Sequence, residues 1–470
     1  MKLNNNPVIT GNQATVTFTD FSLNSYLDFI SIRSLPTYKV AGSTIEFPAN
    51  YVDGYYQAEV KIPLPVTPSL FDYQQVISKV AFIKQRYGIF LDPGLGKCMG
   101  IDTPIIMLDG SIKKVQDIKT GDRLIGPDSQ PRLVLSTNKG SGPLFRVTPI
   151  KGDSFICNDA HILSLKSSGT KKNSKDIRYI HGKITNISVT DYLNETEYFR
   201  VKMKLWRPDG VEFQLSGDLL LEPYMLGLWL GNGTIGNGSL TLNDNDLPVI
   251  EYFERWAQKH GFNLRPQQGK GCNTWHINNH GNHSWFKEFT KTLIVDSEKR
   301  IPHVYLTSSR ENRLELLAGL LDTDGYYLEG TFEIVSKYKG LVDDILFLAR
   351  SLGLGTNYRE VIKGIKSLNF TGTYHKVTIF GHVDSVPTKL ERKQAKPRQQ
   401  VKDVLHTGFS VEYIGNGDYY GFTLDGDNLY LLGDFTVTHN TYVLGELARQ
   451  THATHSDKKI LYVTALNILA

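Results

Sequence analysis

The stretch GIFLDPGLGK, Gly88 to Lys97, is an apolar run that ends in a glycine-rich loop and a lysine. That pattern opens a strand, phosphate-loop and helix unit, which needs Ser or Thr after its lysine because a hard hydroxyl oxygen ligates Mg²⁺. Cys98 stands there instead, and a thiol is a soft, poor ligand for that ion. Residues 101–165 then read as short strands joined by DG, GD and GP turns, where the unit demands a helix. The missing half lies far downstream. After His439-Asn440 comes TYVLGELARQ, a helix pattern beginning at Thr441, and then the β run KKILYVTAL. Joining Lys97 to Thr441 restores GIFLDPGLGKTYVLGELARQ and removes residues 98–440, a segment of 343 residues.

Composition narrows the class without deciding it. A chain of 470 residues has room for about three domains. Its net charge of +4 does not by itself identify nucleic acid as a partner, although the run Arg392-Lys393, Lys396, Arg398 and Lys402 is compatible with it. Cys98, Cys157 and Cys272 are widely spaced and odd in number, so they form neither a disulfide framework nor a CxxC zinc site. The start MKLNNNPVITG lacks a signal-peptide core, and no apolar run reaches the ~18 residues of a membrane span. An intracellular, cytoplasmic monomer without membrane association is expected, cell-, phage- or virus-encoded.

Across residues 98–440 the sequence resembles an intein. CMGIDTPIIMLDGSIKKVQDIKTGDRLIG is similar to the family's opening block, SFICNDAHILSL to its second, and YYGFTLDGDNLYLLGDFTVTHN to its closing pair. The resemblance implies an all-β horseshoe splicing (Hint) fold and a cofactor-free sequence of acyl transfers. Cys98 attacks the Lys97 carbonyl, a reaction suited to a thiol whose conjugate base is accessible near neutral pH. His161 protonates the leaving amine, with Asn158 where the family more often has Thr. Thr441 takes over the acyl group, and Asn440 cyclises with help from His439. The sequence departs from the family at Gly421 and Asn428, where closing blocks often carry Asp and His, which bears on the coupling of the steps.

Between these blocks, EPYMLGLWLGNGT and ELLAGLLDTDGYY resemble the paired motifs of LAGLIDADG homing endonucleases, with Asn232 and Asp324 at equivalent positions. Each reads as a short helix whose small residues, Gly227 and Gly231 or Ala318 and Gly319, let the pair pack closely. The resemblance implies an α+β domain that binds double-stranded DNA and uses Mg²⁺ held at the helix ends. Asn232 breaks the pattern, being neutral where the family has an acid, so Asp324 carries metal binding and cleavage is expected to be reduced or lost. Lys299, in KRIP, is the candidate assisting lysine, against the alternative of a solvated surface lysine. In Phe332–Leu354, the stripe Leu341, Ile345, Leu348 and Leu352 reads as core.

The flanks resemble the start of a superfamily 2, Swi/Snf-like DNA helicase or translocase. That resemblance implies ATP contacts from Gln74, Gly94, Gly96 and Lys97, with Thr441 on the Mg²⁺ of Mg-ATP. The expected organisation is a β-rich region over 1–69, a helicase segment over 70–97, splicing parts over 98–215 and 386–440, the endonuclease over 216–385 and a helicase segment over 441–470. Two alternatives compete: a self-cleaving Hint-type processing domain without ligation, and a P-loop ATPase with a large inert insert. The sequence does not give the DNA recognition site, the splicing rate or the helicase substrate.

Overall fold

The computed structural model describes most of residues 3–48 and 98–440. Residues 49–97 and 441–470 lie outside the described residues, with the stretches 170–175, 215–216, 279–284 and 366–369 and a few single positions. The expected phosphate loop, with Gln74, Gly94, Gly96, Lys97 and Thr441, therefore lies outside them. The chain divides into two compact units, one of Met1–Phe90 with Tyr442–Ala470, the other of Leu91–Thr441.

In the first unit, four antiparallel strands run in the order Val8–Thr10, Gln13–Thr17, Thr44–Pro48, Lys39–Ala41. The expectation of strands throughout this region is corrected by the helix Leu23–Arg33, whose first turn is capped by the Ser22 hydroxyl accepting from the Ser25 amide. Capping and the burial of Ile32 against Ala14, Val16, Ile45 and Phe47 outweigh local β propensity.

In the second unit, residues 98–214 and 402–440 build two large antiparallel sheets and the small hairpin of Pro104–Ile106 with Ile112–Lys114. One runs Phe155–Asn158, Met99–Gly100, Phe409–Leu424, Pro131–Pro149, Arg123–Ile125. The long strands Pro131–Pro149 and Phe409–Leu424 form its spine, paired from Phe409↔Pro149 to Leu424↔Val134. The other runs His406–Thr407, Met203–Trp206, Ile162–Ser167, Val437–His439, Leu429–Leu431. Strands from both sides of the 216–385 insertion interleave in each large sheet, Phe409–Leu424 lying between Met99–Gly100 and Pro131–Pro149 in one and Val437–His439 beside Ile162–Ser167 in the other. This region is not purely β, because the short helices Val189–Asn194 and Glu197–Lys202 lie in it, each opened by a capping hydroxyl, Ser188 or Thr196.

The inserted region is α+β. Helix Pro223–Asn232 is followed by a three-stranded sheet of Leu240–Asn243, Cys272–Asn278 and Asn263–Gln267. Helix Arg310–Asp324 is followed by a four-stranded sheet ordered Tyr326–Leu328, Thr331–Ser336, Phe370–Phe380, Gly355–Ile365. The two helices touch backbone to backbone. A Cβ on Gly227 would lie 2.3 Å from the Leu316 carbonyl oxygen, and one on Gly319 only 2.2 Å from that of Tyr224. Packing extends past residue 385, since Val386 and Leu390 are buried with these helices.

Candidate functional site

The first cluster gathers the two ends of the 98–440 segment. Met99 pairs with Cys157 on one side and Tyr420 on the other, which fixes Cys98 between two strands. Cys98 and Asn158 exchange bonds: the Cys98 N–H donates to Asn158 Oδ1 at 3.1 Å, and the Asn158 N–H to the Cys98 carbonyl at 3.0 Å. The Asn158 carbonyl in turn accepts from the His161 N–H at 3.2 Å. His161 Nε2 lies 2.6 Å from Thr438 Oγ1, and the next residue, Ile162, pairs with His439. Asn440 is held at both ends, its backbone N–H on the Asn428 carbonyl at 2.8 Å and its side-chain amide on the Phe422 carbonyl.

Met99 and Asn440 thus engage Tyr420 and Phe422, two residues apart on one strand, a separation of about 7 Å. Six residues expected from sequence were Cys98, Asn158, His161, His439, Asn440 and Thr441; the fold assembles the first five in one buried cluster, and Thr441 lies outside the described residues. Asn428 adopts φ +62°, an uncommon backbone for a non-glycine residue, and its carbonyl is the one that anchors Asn440.

One expectation is corrected. The Cys98 thiol is only 1 % exposed, and burial pushes it up to about 12, so its conjugate base is not accessible near neutral pH in this arrangement. Desolvation of the thiolate outweighs everything nearby. The Sγ instead donates to Asn138 Oδ1 at 3.5 Å. Asn138 sits directly across from Gly421, where the missing side chain leaves space on the shared face. Sequence reading missed Asn138 and Thr438 because both depend on cross-strand register.

The second cluster lies at the C-terminal ends of the paired helices. Lys299 is buried rather than solvated, its Nζ donating to the carbonyls of Trp229, Leu230 and Gly231 at 3.1, 2.8 and 3.2 Å. Lys393, which sequence reading placed only in a basic run, does the same for the other helix, on Leu321, Asp322 and Thr323 at 2.8, 2.9 and 3.4 Å. A signal was present: Lys299 lies 67 residues after Asn232 and Lys393 lies 69 after Asp324, an internal repeat of spacing. Burial lowers the Lys299 ammonium to about 8 and lowers Lys393 as well. Asp322 is consumed structurally, accepting from Tyr224 Oη at 2.6 Å and the Lys389 N–H at 2.7 Å.

Asp324 is solvent-exposed yet densely surrounded by protein, as on a concave surface. That crowding raises its carboxyl above the ordinary range, against the opposing pull of Lys299 and Lys393. Asn232, half-buried, ends the partner helix, and a Cβ on its neighbour Gly231 would come 3.6 Å from the Asp324 carboxyl carbon. The donors here are all oxygens, as a hard cation requires, but only one is a carboxylate and two ammonium groups flank it. Among the described residues no group of three or more His, Cys, Asp or Glu could hold a metal ion.

Two family descriptions match the segment that carries these clusters. The Hom_end-associated Hint family matches residues 98–218, beginning at Cys98, and the homing endonuclease family matches residues 300–384. The chain carries an intein with a homing endonuclease inside it. Among curated relatives, the replicative DNA helicase DnaB of Mycobacterium intracellulare is 27% identical over 276 residues, 56% of this chain and 43% of that protein. The homothallic switching endonuclease of Saccharomyces cerevisiae is 26% identical over 247 residues, 45% of this chain and 42% of that protein. The chain thus spans less than half the length of either relative. The DnaB match is longer than the 127 residues that flank the intein, so it includes intein sequence and does not discriminate between helicase classes. Among solved structures, I-DmoI in complex with DNA and Ca is similar at 15% identity, covering 34% of this chain and 81% of that one with a TM-score of 0.24. The gp41-1 intein is similar at 17% identity, covering 24% and 69% with a TM-score of 0.17.

Proposed function

We propose that the intein excises itself and joins Lys97 to Thr441, restoring a GKT phosphate loop in a DNA helicase or translocase of superfamily 2. The observation that carries this reading is the convergence of Asn440 and of Met99, the neighbour of Cys98, on one strand, because splicing needs both scissile bonds at a single site. In the first step the Cys98 sulfur bonds to the Lys97 carbonyl carbon, the C–N bond breaks, and the freed amine of Cys98 takes up a proton. Asn158 positions that nitrogen through its side-chain oxygen. His161, with Thr438 on its ring, supplies the proton. The Thr441 hydroxyl then displaces the Cys98 sulfur, giving a branched ester. The Asn440 side-chain nitrogen attacks its own carbonyl, closing a succinimide and breaking the bond to Thr441, with His439 assisting. A final O-to-N acyl shift forms the amide between Lys97 and Thr441.

On this reading the splicing domain is a horseshoe in which these ends meet, supported by the sharing of both large sheets between the two splicing parts, and splicing needs no cofactor. For the endonuclease, Asp324 with the Asn232 amide oxygen would hold Mg²⁺, which supplies stabilisation of the attacking and leaving oxygens at a phosphodiester. Lys299 and Lys393 lie on either side of that position. With one carboxylate instead of two, metal binding is weak and double-strand cleavage of DNA is reduced. After splicing, Gly94, Gly96, Lys97, Thr441 and Gln74 bind ATP and Mg²⁺ in the host, which acts on DNA.

Intact-mass analysis of the expressed chain tests this reading. Splicing gives products of 343 and 127 residues; unjoined flanks mean cleavage without ligation, and a persistent 470-residue chain means an inert insert.

A further inference from the structure

Helix Lys339–Ser351 of the endonuclease presents two faces. Leu341, Ile345 and Leu348 fill the endonuclease core, whereas Phe347 and Arg350 reach the splicing domain. They converge on one feature, the turn at Leu432–Thr436 that feeds the strand Val437–His439 and then Asn440.

Phe435, at the tip of that turn, is fully buried with φ +68°, a left-handed conformation that a bulky residue adopts only when its surroundings enforce it. Phe347 packs edge-on against it with ring centroids 5.0 Å apart. Beside it, Asp434 accepts from Arg207 Nη2 at 2.6 Å, from the Asp153 N–H at 3.2 Å and from the Thr436 N–H at 3.0 Å. The Asp153 carboxylate itself accepts from both Nη atoms of the buried Arg350, at 2.9 and 3.2 Å, while Arg350 Nε donates to Thr356 Oγ1 at 3.0 Å. Burial alone would raise the Asp434 carboxyl, but Arg207 and Arg350 together hold it down to about 2, so it stays charged and the network stays closed.

We infer that Phe347 and Arg350 are positioning residues for splicing: the endonuclease helix holds the 432–436 turn, and thereby sets His439 and Asn440 against His161. This inference rests on the splicing reading. The endonuclease is then a structural part of the C-terminal splice site and not only its passenger. Displacing a reacting group by ~1 Å can cost 100-fold in rate, so loosening this turn should slow Asn440 cyclisation most and the Cys98 step less. The turn reaches that step only through Thr438 on the His161 ring, whereas Cys98 and Asn158 are held by other strands.

The full 470-residue chain carrying Phe347→Ala or Arg350→Met tests it, with each step followed by intact mass. Thiol-induced release at Cys98 reports the first step, and release at Asn440 the last. The expected result is a fall of about 10- to 100-fold at Asn440 with a fall at Cys98 smaller by at least about 5-fold, and recovery of most of the rate in Phe347→Leu and Arg350→Lys. Equal losses at both steps, which general unfolding would give, overturn the inference, as does no loss at either. A wild-type chain that stays at 470 residues overturns the splicing reading itself and this inference with it.

Discussion

The Asn158 side-chain oxygen accepts the backbone N–H of Cys98 at 3.1 Å, so the nitrogen of the bond to be broken is held by a residue 60 positions away. Asn158→Ala removes that hold and leaves Cys98 in place. Thiol-induced cleavage before Cys98 should slow by about 10- to 100-fold, the worth of one or two hydrogen bonds, while Asn440 cleavage continues. Time courses of both products by mass spectrometry check the separation; an unchanged first step would remove Asn158 from the mechanism.

The buried Cys98 thiol imposes a pH dependence. Because its folded value is pushed up to about 12, the thiolate fraction should rise about 10-fold per pH unit across the neutral and mildly alkaline range. The first-step rate should follow it with no plateau by pH 9.5, whereas a thiol of ordinary value would level off near 8.5. Stability moves in a related way. The folded value lies above the unfolded one, so the contribution is complete below about pH 9 and is lost as pH rises from there toward 12. Alkaline denaturation of Cys98→Ala should lack that loss.

The insertion was legible because its two edges interrupt a local unit whose continuation is chemically recognisable. The motif helices were legible through their small residues, and Gly227 and Gly319 do bring the backbones together. What escaped was whatever depends on register or burial. Lys393 lies in a basic run that reads only as compatible with nucleic acid, yet it is buried against carbonyls contributed 70 to 72 positions earlier. Asn138, which lies across from Gly421, meets Cys98 through the register of the two long strands. The helix Leu23–Arg33 was hidden by β-branched and aromatic residues whose propensity the Ser22 cap and tertiary packing override.

The dyad-like placement of Lys299 and Lys393 predicts matched effects on the nuclease. Lys299→Met and Lys393→Met should lower Mg²⁺-dependent cutting of a plasmid that carries the uninterrupted host gene by similar factors. Asn232→Asp, which restores a second carboxylate, should raise cutting at least about 10-fold. Efficient cutting by the natural chain, unimproved by Asn232→Asp, would contradict the assignment.

Close approach of the motif helices predicts a steep cost for small added volume. A Cβ on Gly319 meets the Tyr224 carbonyl oxygen at 2.2 Å and the Leu228 nitrogen at 2.9 Å, both backbone atoms that cannot turn aside. Gly319→Ala should destabilise the endonuclease by about 2 kcal/mol or more. Urea unfolding of the chain blocked by Cys98→Ala and Asn440→Ala measures this, and an unchanged midpoint would mean that the helices stand further apart.

The most direct measurement is tandem mass spectrometry of the 127-residue product across its new junction. A peptide in which Lys97 is followed immediately by Thr441, absent from Cys98→Ala, is the predicted result, with Cys98→Ala retaining some cleavage after Asn440. Flanks that separate without ever yielding that peptide, or a chain in which Lys97 remains joined to Cys98, would contradict the account.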